Sequence, residues 1–478
     1  MPPRLFAAVA STAVAPFAAA LTDKPNFVFI LIDDMGWTDI AANGSRYYRT
    51  PNIDRLAKQG VRFTNGYAAC AVCSPTRAAI MAGRTPARLH LTDWIPGEGN
   101  SQKGALKIPD WTQSLAPSLP TLPRSLHNLG YVTAAVGKWH LGGKGRMPQD
   151  CGFDVNIAGG HIGHPASYFW PYGDKTGGHR VPTLAETGGK AGEFLSDRLT
   201  DEAIRFLDKN AKKPFFLYLA HYAVHAPIMG KPEDIEAFKT VPPADGQKSP
   251  VYAALVKSVD DSVGRIMAEL DTLGVADNTV VVFTSDNGGA IHLGKNATRI
   301  APLRGGKGFP YEGGLRVPLI VRAPGITPAG AVSDAPVVST DFFPTFLALA
   351  GKPVTTPVDG RDVTPELRGN KGAPRDLGWN YPHYWAGGMI SPYAVLRDGD
   401  TKIVRWYEYG TEELYDLAAD PAEKHDLAAG NPALRAAMAA KLDAWLKAND
   451  AQLAARKPGA AGKPKTGPNP AAADKWRN

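Results

Sequence analysis

Asn26-Phe27-Val28-Phe29-Ile30-Leu31-Ile32-Asp33-Asp34 is a run of uncharged, almost wholly apolar residues that stops at two carboxylates. An uninterrupted apolar run of this length is the pattern of a strand buried on both faces, as in a parallel sheet. Residues 131–136 repeat the pattern and end at Gly137-Lys138-Trp139-His140. Residues 214–220 run into His221 and His225, residues 279–284 into Ser285-Asp286-Asn287, and 317–321 give a fifth run. Helical patterns over 52–59, 121–129, 194–210, 252–273 and 342–350 separate them. Alternating strands and helices predict an α/β fold, a large and mostly parallel sheet flanked by helices. Ligands of such sheets bind beyond the C-terminal ends of the strands. Here four strands deliver ionisable residues to that one rim.

Past residue 370 the texture changes. Residues 393–397 and 401–407 flank Asp398-Gly399-Asp400 and read as a hairpin. Residues 412–417 make a third strand and 434–447 an amphipathic helix, a smaller C-terminal α+β subdomain with an antiparallel sheet. The expected division is a signal peptide at 1–20, a catalytic α/β domain at 21–370, the subdomain at 371–451 and a flexible basic tail at 452–478.

The chain has 478 residues and a formal charge of +7, with six basic side chains and one acidic one between Arg456 and Asn478. The rest is close to neutral, which excludes the basic folded footprint of a nucleic-acid binder. The first twenty residues combine Arg4, an apolar run and an Ala18-Ala19-Ala20 cleavage site, so the protein is expected to be exported, periplasmic or extracellular. No later stretch is long enough for a membrane span. Three cysteines (Cys70, Cys73 and Cys151) leave at least one thiol unpaired or modified.

Cys73-Ser74-Pro75-Thr76-Arg77-Ala78-Ala79-Ile80-Met81-Ala82-Gly83-Arg84 places a thiol at a helix start, because Pro75 suits the first turn. The helix dipole favours negative charge there, and Arg77 falls on the same face one turn along. This run resembles the sulfatase signature C-x-P-x-R with its A-x-x-x-x-G-R extension. The resemblance spans Asn26 to about Leu427 and implies an alkaline-phosphatase-like fold. It also implies that Cys73 is converted to formylglycine by a formylglycine-generating enzyme. Cys70 lacks the proline and arginine at the matching positions.

Read against that family, Asp33, Asp34, Asp286 and Asn287 match the metal ligands, with the modified Cys73 completing the set. Carboxylates and an amide oxygen are hard donors that suit Ca²⁺, or Mg²⁺, better than zinc. Lys138 and His140 match the family's G-K-W-H segment. His225 matches an A-x-H-x-P histidine and Lys307 the lysine before E-G-G. Together with Cys73 and Arg77 these form the implied catalytic set. His221 reads as a structural histidine. The loop after Gly152-Phe153-Asp154 offers Asn156, His161 and His164, with no basis for choosing among them.

The implied reaction is sulfate ester hydrolysis. One hydroxyl of the hydrated aldehyde attacks sulfur, His225 or Lys307 protonates the leaving alcohol, and His140 takes a proton as sulfate is expelled. The chain looks like the bacterial polysaccharide sulfatases, which act on galactose or N-acetylgalactosamine units. Two aromatic runs, 168–172 and 379–385, are dense enough for sugar binding, and His383 is the expected hydroxyl contact. The competing readings are a phosphonate or phosphate ester hydrolase of the same superfamily and an inactive sulfated-glycan-binding protein.

Overall fold

The computed structural model describes residues 21–22, 24–98, 104–174, 179–184, 187–294 and 298–458. The expected signal peptide and the last twenty residues of the tail lie outside them.

The main sheet has eight strands: β1 (Asn26–Ile32), β2 (Val61–Phe63), β3 (Val132–Gly137), β4 (Val155–Ile157), β5 (Phe215–Ala220), β6 (Thr279–Ser285), β7 (Leu319–Arg322) and β8 (Ala331–Ser333). Their order is β8-β2-β7-β6-β1-β5-β3-β4. The all-apolar runs occupy the centre, as their burial on both faces requires. β1 lies parallel between β5 and β6, and β3 parallel to β5. Register then fixes the rim. Ile32 pairs with Ser285, Leu31 with Ala220, and Gly137 with Ala220, so Asp33, Asp286, His221 and Lys138 all leave the sheet at one edge.

β7 is the exception to parallel pairing: it runs antiparallel to both β6 and β2. The connection after β6 stays at the C-terminal edge through Glu312–Leu315, so the next strand has to run back down the sheet. The sheet is therefore mixed, though mostly parallel.

Helices cover both faces: α1 (Pro51–Gln59), α2 (Cys73–Ala82), α3 (Leu122–Asn128), α4 (Leu195–Asn210), α5 (Pro250–Thr272) and α6 (Phe342–Leu349). Val28, Ile30 and Ile32 face α4 and α5, while Phe27, Phe29 and Leu31 face α2, α3 and α6. α2 is buried along its whole length. It stops at Gly83, whose φ of +64° is the left-handed turn that glycine adopts without a Cβ clash.

A second sheet is an antiparallel meander of β9 (Asp376–Tyr381), β10 (Tyr393–Asp398), β11 (Thr401–Trp406) and β12 (Thr411–Asp416). One face (Ala394, Leu396, Ile403, Leu414) packs on α7 (Pro432–Ala448). The other (Trp379, Tyr381, Tyr393, Val395, Trp406) packs on Val72 and Ala79 beside the start of α2. Buried Lys402 of β11 bridges Glu312 at 2.9 Å and Glu423 at 2.8 Å, tying this sheet to the segment that follows Lys307.

Ala455 pairs with Lys107 and Arg456 with Leu106, so these two residues, placed in the tail by the sequence reading, form a short strand. Among the described residues no helix is long and apolar enough to cross a membrane.

Candidate active site

The residues predicted as catalytic or metal-ligating converge at the C-terminal edge of β1, β3, β5 and β6. Backbone hydrogen bonds fix the strand ends: Asp286 N–H donates to Ile32 C=O (3.0 Å), Asp33 N–H to Ala223 C=O (2.9 Å), and Lys138 N–H to Ala220 C=O (2.7 Å). Lys138 turns inward because Gly137 precedes it. Gly137 has φ of +105°, and a Cβ there would lie 1.9 Å from the Ala220 carbonyl oxygen.

Three cations meet three carboxylates in this pocket. Lys138 Nζ lies 2.6 Å from Asp33 Oδ2. Lys307 Nζ lies 2.7 Å from Asp34 Oδ1. Arg77 sets Nε and Nη2 at 2.9 and 2.8 Å from Asp286 Oδ2, and donates through Nη1 to the Lys138 carbonyl. Burial alone raises the Asp34 carboxyl, but the Lys307 ammonium, with His225 and Lys138, outweighs it and holds the group below the usual carboxylate range. Asn287 donates to Asp34 Oδ1 at 2.8 Å.

Cys73 is the first residue of α2. No side chain caps this helix; Thr76 instead ties back to the Cys70 backbone in both directions. Cys73 Sγ lies 3.3 Å from His140 Nδ1. His140 Nε2 faces the Ile95 carbonyl, which only accepts, so Nε2 carries the proton and Nδ1 is a bare acceptor towards position 73. Burial, then Lys138, pushes the imidazole well below its usual range, which keeps it neutral. Burial raises the Cys73 thiol despite both lysines, so the unmodified side chain is a poor thiolate.

His225 is held by the same logic. Its Nδ1 donates to the Ala226 carbonyl (2.8 Å), leaving Nε2 3.6 Å from Asp34 Oδ2. Asp33, Asp34 and His225 each offer a donor atom within 4.8 Å of one another. Asp286 and Asn287 lie beside this group: Asp286 Oδ1 accepts from the Asp34 N–H at 3.2 Å, and the Asn287 amide touches Asp34.

Three expectations change. His383 is fully buried, packed edge-on between Trp111 and Tyr381, with Nε2 2.7 Å from Thr92 Oγ1. With no exposed atom it fills the core, and it is removed as a substrate contact. In the 379–385 run, Trp379 and Tyr381 belong to the inner face of β9, and Tyr384 and Trp385 are buried beyond its end. In the 168–172 run, Tyr168 is buried and donates to the Tyr222 and His225 carbonyls (2.7 and 2.8 Å), so it supports the His225 loop.

His221 is structural, as read: it is fully buried, with Nε2 2.9 Å from Ser262 Oγ. Burial lowers its pKa to about 4, beneath the unfolded value near 6.5. The unfolded chain takes up this proton first, so the stability tied to neutral His221 is complete above pH 6.5 and is lost as pH falls towards 4. Between pH 7 and 5 the stability gap between wild type and His221→Gln should shrink by about 2 kcal/mol in urea melts. A gap that does not change with pH contradicts this.

Three further groups lie at the mouth: His164, which the sequence leaves open beside Asn156 and His161, and His179 and His292, which no motif marks. His164 and His179 stack on one another and His164 stacks on His225, while His292 sits edge-on to Trp385. All lie in loops, where no periodicity marks them.

Comparison with known proteins identifies the family. The Sulfatase family model matches residues 25–352, and a model described as N-sulphoglucosamine sulphohydrolase, C-terminal, matches 306–452. Human N-acetylgalactosamine-6-sulfatase is 34% identical over 402 residues, covering 77% of this chain and 73% of that protein. A sulfatase of Formosa agariphila is 31% identical and covers 90% of both chains. The crystal structure of Ps i-CgsB superposes with a TM-score of 0.75 at 32% identity, covering 90% of this chain and 94% of that one; a second structure of it holds k-i-k-neocarrahexaose. With signature, sheet and relatives in agreement, the chain belongs to the sulfatase family and is a sulfatase.

Proposed function

We propose that the protein is an exported hydrolase that removes sulfate from a sulfated carbohydrate, from galactose or N-acetylgalactosamine units of a polysaccharide, using a formylglycine made from Cys73. The observation that carries this reading is the position of residue 73, at a helix start, against the acceptor nitrogen of His140 and beside the Arg77, Lys138 and Lys307 cations. The carbohydrate reading rests on relatives, one named for N-acetylgalactosamine-6-sulfate and one solved with a neocarrahexaose.

The donor set also fits a cation. Asp33 Oδ1 and Asn287 Oδ1 are buried with no hydrogen-bond partner. Orphaned acceptors of this kind are costly unless a proton donor or a metal satisfies them. Asp33, Asp34, Asp286 and Asn287 would hold Ca²⁺, or Mg²⁺, with position 73 and His225 at hand. Such an ion supplies Lewis-acid charge towards the sulfate oxygens.

Hydrated formylglycine offers two hydroxyls on one carbon, one to take the sulfuryl group and one to drive sulfate off again. The chain's own residues do the rest. Arg77 holds Asp286 in place and, with both lysines, places fixed positive charge where negative charge concentrates. His140 Nδ1, already aimed at position 73, receives the proton of the hydroxyl that expels sulfate. His225, protonated at Nε2, or Lys307 gives a proton to the departing alcohol. Residues 21–370 would form the catalytic domain and 371–451 the subdomain that closes over it, and maturation requires a formylglycine-generating enzyme as a transient partner.

The test is sulfate release from a panel of defined sulfated galactose and N-acetylgalactosamine derivatives, with aryl phosphonate alongside. Release from a sugar at one ring position is expected; turnover of phosphonate alone points to the other reading of the superfamily. A chelator should lower sulfate release by about 10²-fold or more and lower the melting temperature, and Ca²⁺ or Mg²⁺ should restore both. Full activity and an unchanged melt after exhaustive chelation would contradict the cation.

A further inference from the structure

The loop from Gly160 to His164 lies directly over the reacting groups. His140 N–H donates to the Gly160 carbonyl at 2.9 Å, and a Cβ on Gly163 would come within 2.7 Å of the His140 ring. The loop then places the His164 ring parallel to His225, with centroids 5.4 Å apart and planes within 3°. The His179 ring also stacks on His164, at 4.4 Å and 13°. The three imidazoles form a stack that starts at His225 in the site and ends at exposed His179.

The other polar residues of this loop are committed elsewhere. The Asn156 side chain closes on Gly159 in both directions, and His161 is exposed. His164 is half-buried and differs. Its Nδ1 lies 3.0 Å from the Pro165 carbonyl, so Nδ1 carries the proton. Nε2 is then an acceptor with no partner among the described residues.

The sulfate half of a substrate belongs with the three cations, and the alcohol half leaves on the side of the proton donor. His164 is stacked on that donor. We propose that His164 contacts the alcohol half of the substrate, its Nε2 accepting a hydrogen bond from a hydroxyl of the sugar ring that bears the sulfate. The proposal rests on the sulfatase reading of the site. A bare acceptor nitrogen selects a hydroxyl donor and gives no hydrogen bond to a second sulfate or to an aryl ring.

The experiment compares kcat/KM for the best sulfated sugar of the panel with kcat/KM for an aryl sulfate, in wild type, His164→Phe and His164→Gln, each matched for aldehyde content by mass. Phenylalanine keeps a flat ring on His225 without the nitrogen, and glutamine keeps an acceptor oxygen. The sugar-to-aryl ratio should fall about thirtyfold in His164→Phe, the range for one lost hydrogen bond, and recover to within about fivefold in His164→Gln. An unchanged ratio in His164→Phe, whether from equal losses or from none, overturns the proposal and leaves His164 as a support for His225. Aldehyde-bearing wild type that releases sulfate from neither substrate overturns the sulfatase reading itself, and this proposal with it.

Discussion

Cys73→Ala should lose turnover by about 10³-fold or more while melting like the wild type. The thiol is 2% exposed and its one hydrogen-bond contact among the described residues is His140 Nδ1, so its removal costs little packing. Cys73→Ser should be equally inactive over many turnovers when the serine is not oxidised. A serine can take the sulfuryl group once, but it has no second hydroxyl on the same carbon to release it, and water would have to attack a sulfate ester among buried groups. The two variants therefore separate at the level of a single turnover. Serine should accumulate one equivalent of bound sulfate by mass, and alanine none. Multiple-turnover sulfate release by either purified variant would sink this scheme.

Arg77→Ala should be the most destabilising single change at the site. The guanidinium is fully buried, lies with two nitrogens within 2.9 Å of Asp286 Oδ2, and donates one hydrogen bond to Asp286 and one to the Lys138 carbonyl. Its removal leaves a buried carboxylate without its counter-charge, a loss of about 3–5 kcal/mol. It also frees the backbone turn that aims Lys138. Arg77→Lys restores charge but not the fork, so it should recover part of the stability and little of the rate. Urea melts and kcat for the three proteins check both statements. Arg77→Ala with wild-type stability and a rate within tenfold contradicts the role given to this pair.

What was legible in the sequence follows from how locally each feature is encoded. β1, β5 and β6 are buried on both faces, so each is an unbroken apolar run that needs no context to recognise. β2, β4 and β8 have three residues apiece, too few to carry a period, and they exist because longer neighbours pair with them. β9 was hidden by its own composition. Leu377, Trp379 and Tyr381 alternate inward as a strand face, but the aromatic density around them reads equally as a binding surface. The direction of β7 depends on which edge the preceding connection returns from, and no local pattern records that.

The site divides the same way. Cys73, Pro75 and Arg77 sit within one helical turn, so spacing alone brings the nucleophile and a cation together. Asp33, Lys138 and Asp286 follow strand ends, so the rim rule locates them. His164 meets His225 only because two loops, far apart in the chain, close over the same edge. His383 shows the converse. A histidine among aromatics suggests a sugar contact, yet the ring is sealed behind Thr92 and Trp111.

The central claim is that sulfate hydrolysis runs through an aldehyde at position 73. The most direct measurement prepares the protein with graded maturation, quantifies the aldehyde in the Cys73 peptide by mass, and plots multiple-turnover sulfate release against that fraction. The account predicts a straight line through the origin, with all activity carried by the aldehyde-bearing molecules. Activity that stays constant across the series, or persists at zero aldehyde, contradicts it.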